Sequence, residues 1–437
     1  MPEGLDGRRR SLLAVVCAVA VANIYAAQPV LADAGADLGL PAADLGWLVA
    51  AGQVGYLLGL VALVPLGDVL DRRRLIAAQL ALTAVGTGVV AASSTAPFAL
   101  IGLGVAGLFS VVVQIAVAYA AALSPARERG RNIGVVTSGV VIGILGARTV
   151  AGFLADLAGW RAVYVALATA SLLLAVLVLA ALPPERREQD RAGYRRRVAA
   201  MGRLVAGDRA FRGRALIAFF LFASFGTLWS GIALPLGAAP WHLTPTQIGL
   251  FGFAGLAGAL AAAGAGRWAD RGYASPVAGW SLLALIVSWA LSGQAGRSLW
   301  LLGAGIILLD FAVQAVHVSN QHLLTSSHPE RSSATIGAYM VFYSLGSALG
   351  AISTAWAYAA EGWPGAALLG AGYAAAGLVV WAAHRRHPVP SPTNAAPSAI
   401  SAAPSAISAA VTDAAQGRRT PPPTDAVPGR LGRNLRL

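Results

Sequence analysis

Ionisable and hydrogen-bonding side chains recur inside apolar segments of this sequence. Asp310 is followed by Gln314, His317 and Gln321 at the fourth, seventh and eleventh positions, and this spacing places all four on one face of an α-helix. A carboxyl group and an imidazole can bind and release protons, and two amides can hydrogen-bond a polar solute. The stripe predicts the lining of a polar pathway, with hydrogen bonding between packed helices as the alternative interpretation.

Arg148 is the second ionisable residue within an apolar segment. A guanidinium group stays charged, so Arg148 can bind an anionic group of a substrate or neutralise Asp310 in a structural ion pair. Ionisable side chains are costly in lipid and mark functional sites when they occur there. Further polar residues are candidates for the same substrate and proton pathway, although helix packing explains each of them as well: Tyr25, Gln28, Gln53, Tyr56 and Gln114.

Motifs of soluble active sites are absent from the sequence. It has no phosphate-binding glycine loop, no nucleophile elbow and no cluster of metal-ligating residues, and its one cysteine, Cys17, lies in an apolar run. We therefore expect no catalytic residues, no metal and no cofactor, in a protein that is not an enzyme. Because no ATP site is evident, a gradient of ions or solutes is the expected source of energy.

The amino-acid composition indicates which class of fold positions these residues. Of the 437 residues, 57% are hydrophobic and only 12% are charged, whereas a soluble domain carries roughly 25% charged residues. Lipid must therefore cover most of the surface. The net charge of +13 does not indicate a nucleic-acid partner, because the arginines lie in short runs between apolar segments. The expected fold class is an all-α integral membrane protein.

Hydropathy predicts twelve transmembrane helices, each with about 20 mostly apolar residues. In chain order, predicted spans 1 to 12 occupy residues 11–31, 45–66, 75–94, 98–123, 132–155, 162–182, 214–237, 247–266, 276–294, 299–323, 335–358 and 365–384.

The distribution of arginine predicts the orientation. With the N-terminus inside, Arg148 lies within a span, Arg161 and Arg297 lie outside, and the other 29 of the 32 basic residues lie in the cytoplasm or at that membrane edge. Omitting one span would invert every later loop and destroy this asymmetry. We therefore expect a multi-pass protein of the cytoplasmic (inner) cell membrane with both termini in the cytoplasm.

Two segments are expected to lie outside the bilayer. Residues 183–213 form a basic cytoplasmic linker between an N-terminal six-helix half, 1–182, and a C-terminal six-helix half, 214–387. The cytoplasmic tail, 388–437, is rich in Pro, Ala and Ser. Such a tail buries too little apolar area to offset the entropy of ordering, so we expect disorder.

Short matches recur between the two halves. Gly67-x-x-x-Asp71-Arg72 corresponds to Gly266-x-x-x-Asp270-Arg271 at an offset of 199 residues, and Gly159-Trp160 corresponds to Gly362-Trp363 at an offset of 203. Matches in the same order and at the same topological positions predict one six-helix unit used twice in parallel orientation.

The loop after predicted span 2 resembles a motif of the major facilitator superfamily. It reads Pro65-Leu66-Gly67-Asp68-Val69-Leu70-Asp71-Arg72-Arg73-Arg74, against the family pattern Gly-x-Leu-Ala-Asp-Arg-x-Gly-Arg-Arg, and lacks the second glycine. The resemblance covers residues 11–384 and implies two parallel repeats with a substrate site between them. It also implies that two charged loops act as conformational latches, formed by Gly67, Asp71, Arg72 and Arg73 and by Gly266, Asp270 and Arg271.

A narrower resemblance is to bacterial drug:proton antiporters. It rests on Tyr25-Ala26-Ala27-Gln28-Pro29 and on Gly159-Trp160-Arg161, while span 5 lacks the proline and the paired glycines of the antiporter signature. It implies a secondary active transporter that works by alternating access, with proton-coupled efflux of a drug or metabolite. Proton-coupled uptake of a small polar solute and a non-transporting membrane sensor are the alternatives. The expected partners are a small-molecule substrate, protons as the coupling ion and the lipid bilayer, around a monomer.

Overall fold

The computed structural model describes residues 5–125, 127–184, 199, 202–262, 268–327 and 332–384, without the side chains of residues 68, 145, 269, 270 and 332–334. Within these ranges the regular structure is helical, and no β-strand occurs. Most of the predicted linker and the entire predicted tail lie outside the described residues, so their boundaries stay predictions.

Fourteen helices carry the described part of the fold. The first half contains α1 Gly7–Tyr25, α2 Leu31–Asp37, α3 Gly46–Ala62, α4 Arg72–Ala92, α5 Ala96–Phe109, α6 Val112–Leu123, α7 Arg129–Ala158 and α8 Trp160–Ala181. The second half contains α9 Arg209–Gly231, α10 Ala233–Gly237, α11 Pro245–Ala261, α12 Ala274–Ser292, α13 Leu299–Ser327 and α14 Ser332–His384.

The helices correspond to the twelve predicted spans. Among the described residues, nine helical stretches are long and apolar enough to cross a membrane, and α5 and α6 together form one of them. The longest stretch bends at Gly362, where φ is 67°, so α14 comprises two spans. The shorter helix α11 and the arginine-headed α1 occupy the two remaining predicted positions.

The polarity of the surface is that of a protein covered by lipid. Trp300, Leu368 and Leu157 are 91%, 74% and 70% exposed, whereas Thr227 and Asn320 are fully buried. Exposed large apolar side chains and buried polar ones invert the usual pattern of a soluble protein. The chain is a multi-pass membrane protein built from helices.

The first predicted span differs from the structure at both ends. Asp6 accepts a hydrogen bond from the backbone N–H of Arg9 and starts α1 at Gly7, and the helix ends at Tyr25. Residues 26–30 form a turn that includes Gln28, which the sequence placed on the helix. Pro29 explains the early end, because it lacks an N–H group and disfavours helical backbone in the residue before it.

Predicted span 4 is also interrupted. The Ser110 hydroxyl donates to the carbonyl oxygen of Ala106 at 2.7 Å, and the chain bends between α5 and α6 at this point. Serine back-bonding of this type often bends helices. The bend lies between Phe109 and Val112, and Gln114 lies on the second segment.

Two equivalent turns agree with the internal repeat. Gly159 and Gly362 have φ of 82° and 67°, a region that glycine adopts without a steric penalty. Each glycine precedes a buried tryptophan whose Nε1 donates a hydrogen bond, Trp160 to Asp37 at 3.1 Å and Trp363 to the carbonyl oxygen of Ser292 at 2.8 Å. The same glycine–tryptophan turn therefore follows the fifth span of each half.

Asp37, outside the spans, ties α2 to α8. Its carboxylate accepts hydrogen bonds from Arg161 and from Trp160, while Arg161 also donates to the carbonyl oxygen of Ser93 at 2.8 Å. The Arg161 hydrogen bond, followed by that of Trp160, holds the pKa of Asp37 below its usual value. Because the folded-state pKa is the lower one, this stabilisation is present above the ordinary Asp pKa of about 3.9 and is lost as the pH falls through the folded-state pKa.

We predict that Asp37→Asn lowers the melting temperature of the purified protein at pH 7 by a small amount, about 1–2 °C, because the pair is exposed. The difference from the wild type should begin to narrow below about pH 4, where Asp37 of the unfolded wild type binds a proton, and should vanish only below the lowered pKa of the folded state. Thermal unfolding at pH 7, 5 and 3.5 checks this, with Asp44→Asn as the control. An equal deficit at all three pH values would contradict the assignment.

Candidate substrate and proton site

Arg148 lies buried on α7 with few partners for its charge. Its Nε donates to Oε1 of Gln28 at 2.9 Å. The guanidinium carbon lies 3.6 Å from the ring centroid of Trp229 and 5.2 Å from that of Tyr25, both within the range of cation–π attraction. Nη2 is buried and has no hydrogen-bond partner. The side chain is therefore held in place while part of its donor capacity is unused.

Asp310 reaches the same indole from another side. This buried residue of α13 accepts a hydrogen bond from Nε1 of Trp229 at 3.2 Å. Both charged residues are described, and no direct ion pair joins them. Arg148 and Asp310 were also candidates for a direct ion pair, whereas in the structure both contact Trp229, Arg148 at the face of the ring and Asp310 at its N–H edge.

Gly255 makes room for this arrangement. A Cβ atom at this position of α11 would lie 2.7 Å from Cζ2 of Trp229 and 3.2 Å from Oδ2 of Asp310. Any larger residue would displace the indole or the carboxylate. The absence of a side chain at Gly255 thus allows the Trp229–Asp310 hydrogen bond.

The site lies between the two halves. Arg148, Gln28 and Tyr25 belong to the first half, and Trp229 and Asp310 belong to the second. The Tyr25 and Tyr343 hydroxyl groups, also from opposite halves, are 2.6 Å apart.

Backbone packing brings the same two halves together next to Arg148. The carbonyl oxygen of Arg148 would lie 2.6 Å from a Cβ atom at Gly249 of α11, and the Thr149 hydroxyl lies 3.3 Å from the carbonyl oxygen of Gly249. A relative movement of the halves would have to change the contacts of Arg148.

The rest of the predicted stripe on α13 forms a second cluster. His317 Nδ1 lies 3.1 Å from the Tyr339 hydroxyl, and His317 Nε2 lies 3.1 Å from Nε2 of Gln321. Gln314 is half-buried, and no hydrogen bond of its side chain occurs within the described part of the chain. The helical spacing thus predicted a real cluster, although Asp310 and His317 have different partners.

Sequence reasoning missed Arg214 and the aromatic residues near the two clusters. Arg214 Nη1 donates to Oδ1 of Asn320 at 3.2 Å, and the buried Nδ2 of Asn320 interacts with Tyr339 without a hydrogen bond of normal geometry. Phe222, Phe225 and Trp229 continue along α9 at spacings of three and four residues. That spacing was a readable sign of one helix face, but aromatic residues at such positions are also typical of an apolar core.

The polar candidates of the first half are only partly brought together. Nε2 of Gln114 donates to the Tyr56 hydroxyl at 3.2 Å. Gln53 is buried on α3, and its Oε1 has no hydrogen-bond partner. None of the three contacts Arg148 through a described hydrogen bond.

The first charged loop is tied to its own half. Asp71 accepts from the backbone N–H of Arg73 at 2.9 Å and caps α4, and no arginine side chain pairs with it in the part described. Arg72 donates to the carbonyl oxygens of Gly67 at 2.9 Å and Ala118 at 3.3 Å, and Arg73 donates to that of Leu179. In the described contacts Asp71 thus caps its own helix, while Arg72 and Arg73 donate to backbone carbonyls of the loop and of neighbouring helices.

The second charged loop is described in part. Gly266 and the side chain of Asp270 lie outside the described residues, and Arg271 is exposed. Gly272, with φ of 89°, provides the turn before α12. The latch function of both loops stays a prediction.

Comparison with known proteins assigns the family. The sequence profile of the Major Facilitator Superfamily matches residues 13–237 and 214–422. A protein named uncharacterized transporter YgaY, from Escherichia coli, is 39% identical over 372 residues, which cover 85% of this chain and 94% of the relative. A protein of Streptomyces coelicolor named as a probable transporter is 32% identical over 355 residues, which cover 81% of this chain and 82% of the relative.

Solved structures show the same fold. A bacterial homologue of the human lysosomal transporter Spinster, in an inward-facing conformation, matches with a TM-score of 0.66 at 17% identity and covers 94% of this chain and 98% of its own. The nucleoside transporter NupG matches with a TM-score of 0.66 at 13% identity and covers 86% and 99%. This chain belongs to the major facilitator superfamily. It is a membrane transporter with the two parallel six-helix repeats of that fold, and the relatives that match it are named as transporters.

We predict that the same substitution has opposite effects at two glycines. Gly255→Ala should destabilise the protein by about 1–3 kcal/mol, because the new methyl group overlaps Trp229 and Asp310. Gly303→Ala on α13 meets nothing within 4 Å and should be neutral or stabilising by about 0.5–1 kcal/mol. Melting temperatures of the two variants in one detergent check this. Equal melting temperatures would show that the site tolerates a displaced indole.

Proposed function

We propose that this protein is a secondary active transporter that moves a small solute by alternating access and couples that movement to protons at Asp310. The observation that carries the proposal is the buried Arg148–Trp229–Asp310 arrangement between the two halves. Opposite charges that contact one indole without forming an ion pair make a site whose net charge depends on one proton. A substrate site between parallel repeats is the arrangement that this fold uses.

Asp310 supports the proton role through its surroundings. Its described hydrogen-bond donor is the neutral indole of Trp229, and the positive charge of Arg148 lies over the face of that ring without forming an ion pair with Asp310. A buried carboxylate with so little compensation is costly, and binding a proton removes the charge. Protonation changes the net charge of the Arg148–Asp310 pair from zero to plus one.

Contacts between residues of opposite halves support alternating access. Arg148 stacks on Trp229 across the boundary between the halves, and the Tyr25 and Tyr343 hydroxyl groups meet across the same boundary. If the halves rock apart on one side, these contacts must break, and the charge that they shield becomes accessible to solute and protons. A change in occupancy of the site therefore changes the balance between the two conformations.

Efflux of a drug or metabolite is the first candidate for the direction. A relative from Streptomyces lividans named chloramphenicol resistance protein is 29% identical over 290 residues, which cover 63% of this chain and 72% of the relative. The arginine distribution supports the cytoplasmic membrane with both termini in the cytoplasm. A monomer is sufficient, because both halves of the site come from one chain.

Proton-coupled uptake is the second candidate, and the charge balance favours it. A solute that occupies the free donors of Arg148 takes away the cation that compensates the Asp310 carboxylate. Solute binding and protonation of Asp310 would then assist each other, which is the requirement for moving both in one direction.

We predict that Asp310→Asn abolishes solute-dependent proton movement. In proteoliposomes containing a trapped pH dye, a panel of anionic, neutral and cationic solutes including chloramphenicol should produce proton flux with the wild type. The variant should lose this flux by at least about tenfold, yet keep exchange of labelled solute at equal pH, because the amide cannot carry a proton.

The control is Asp33→Asn, which removes an exposed carboxylate outside the spans. Normal pH-driven flux in Asp310→Asn would remove Asp310 from the mechanism. A wild type that moves solutes without any proton flux would overturn the coupling, and one that moves no solute would overturn transport as the role of the site.

A further inference from the structure

We propose that the solute is a monovalent organic anion with a flat aromatic or apolar body; this inference rests on the proposed transport function and names its substrate class. Two arginines near opposite ends of α9 support it: Arg148, which contacts Trp229 near the end of this helix, and Arg214, which lies near its start. Arg148 and Arg214 are both largely withdrawn from solvent, and each is held by the oxygen of a neutral amide, Gln28 or Asn320. Within the described residues, no carboxylate contacts either guanidinium group.

At the first position, Arg148 has unused donors. Its five N–H groups include two on Nη2, which is buried and has no partner, while Nε is satisfied by Gln28. Leaving a charged donor buried and unsatisfied costs more than leaving a neutral one, so the site stores a preference for an acceptor. A carboxylate or sulfonate supplies two acceptor oxygens in the geometry that a guanidinium fork binds.

Asp310 limits the charge of that acceptor. It lies at the edge of the indole whose face Arg148 covers. A dianion such as a phosphate monoester would place a second negative charge near the Asp310 carboxyl group. A monoanion next to protonated Asp310 leaves the site with no net charge, which is the least costly state inside a membrane.

At the second position, donors again outnumber acceptors. Arg214 lies five residues after the start of α9, about 20 Å along the helix from Trp229. Nη1 of Arg214 uses the Asn320 oxygen, and the buried Asn320 Nδ2 group interacts with Tyr339 without a hydrogen bond of normal geometry. A guanidinium and an amide N–H₂ group together form a donor-rich pair near the predicted cytoplasmic end, suited to attract an anion before it reaches Arg148.

Aromatic rings connect the two positions. The ring centroid of Phe225 lies 6.4 Å from that of Trp229 and 5.9 Å from that of Phe222. The ring centroids of Phe222 and Tyr343 are 3.9 Å apart. The three rings on α9 are buried in the described structure and would face the body of a ligand, with its anionic group bound by an arginine, once the halves separate. Aromatic surfaces pack well against flat ligands. An organic cation is the opposing possibility, because it would compete with Arg148 for the face of Trp229.

Three probes of one size separate these possibilities. Benzenesulfonate is a permanent anion, benzenesulfonamide is neutral at pH 7, and phenyltrimethylammonium is a permanent cation. We expect benzenesulfonate alone to raise the melting temperature of the wild type, and labelled benzenesulfonate to cross proteoliposome membranes in a protein-dependent way. This measurement on the wild type does not depend on whether a variant folds.

Variants then identify the arginines. Arg148→Gln should weaken benzenesulfonate binding by about 10–100-fold, as expected for the loss of a charge-assisted hydrogen bond, and Arg148→Lys should restore part of the affinity. Arg214→Gln should raise the concentration for half-maximal transport about threefold to tenfold with little change in the maximal rate, because it acts on approach of the anion. Arg297→Gln, an exposed arginine that bonds Gln294, is the matched control and should behave as the wild type.

The outcomes distinguish this inference from the proposed function. Stabilisation by benzenesulfonamide or phenyltrimethylammonium but not by benzenesulfonate would overturn the anion while leaving proton-coupled transport intact. Equal benzenesulfonate binding by the wild type and Arg148→Gln, or no binding of any of the three probes, would also overturn it. If another solute drives proton flux with the wild type and Asp310→Asn loses that flux, the proposed transport function is still supported.

Discussion

The contact of one indole with two opposite charges is the interaction on which the other features of this site depend. Trp229 presents its face to Arg148 and its N–H group to Asp310, so neither charge needs a direct ionic partner in a medium that penalises charge. Because no direct ion pair joins them, each group keeps some capacity for another ligand. A direct ion pair would satisfy both groups and leave little for a solute or a proton to change.

Close packing of backbones makes this contact possible. Gly255 leaves the space that the indole and the carboxylate occupy, and Gly249 lets α11 approach the backbone of Arg148. Small residues at helix interfaces are the usual means of close association in lipid, where burial of apolar surface gives no net driving force between helices. These glycines therefore serve the site as well as the fold, since larger residues would separate the halves where Arg148 and Asp310 contact Trp229.

The fold followed from the sequence to a greater extent than the site did. Long apolar segments and arginines concentrated in alternate loops predict a bundle of membrane-spanning helices. Each of the twelve predicted spans has a helix in the structure. The stripe beginning at Asp310 was visible because polar residues stand out on an apolar helix. Trp229 was not, because an aromatic residue on such a helix is indistinguishable from core until its neighbours are known. Gln28 was placed on a helix because hydropathy continues through a turn that the backbone makes before Pro29.

Gly159 has a mechanical consequence. A single glycine separates α7 from α8, so the two helices cannot move apart where they join. Arg148 lies on α7, while α8 presents apolar side chains such as Leu173 and Val176, each 60% exposed, to the surrounding acyl chains. A tilt of α7 that displaced the guanidinium would therefore also move the start of α8 against the lipid. The thickness and stiffness of the bilayer would then oppose or favour that tilt.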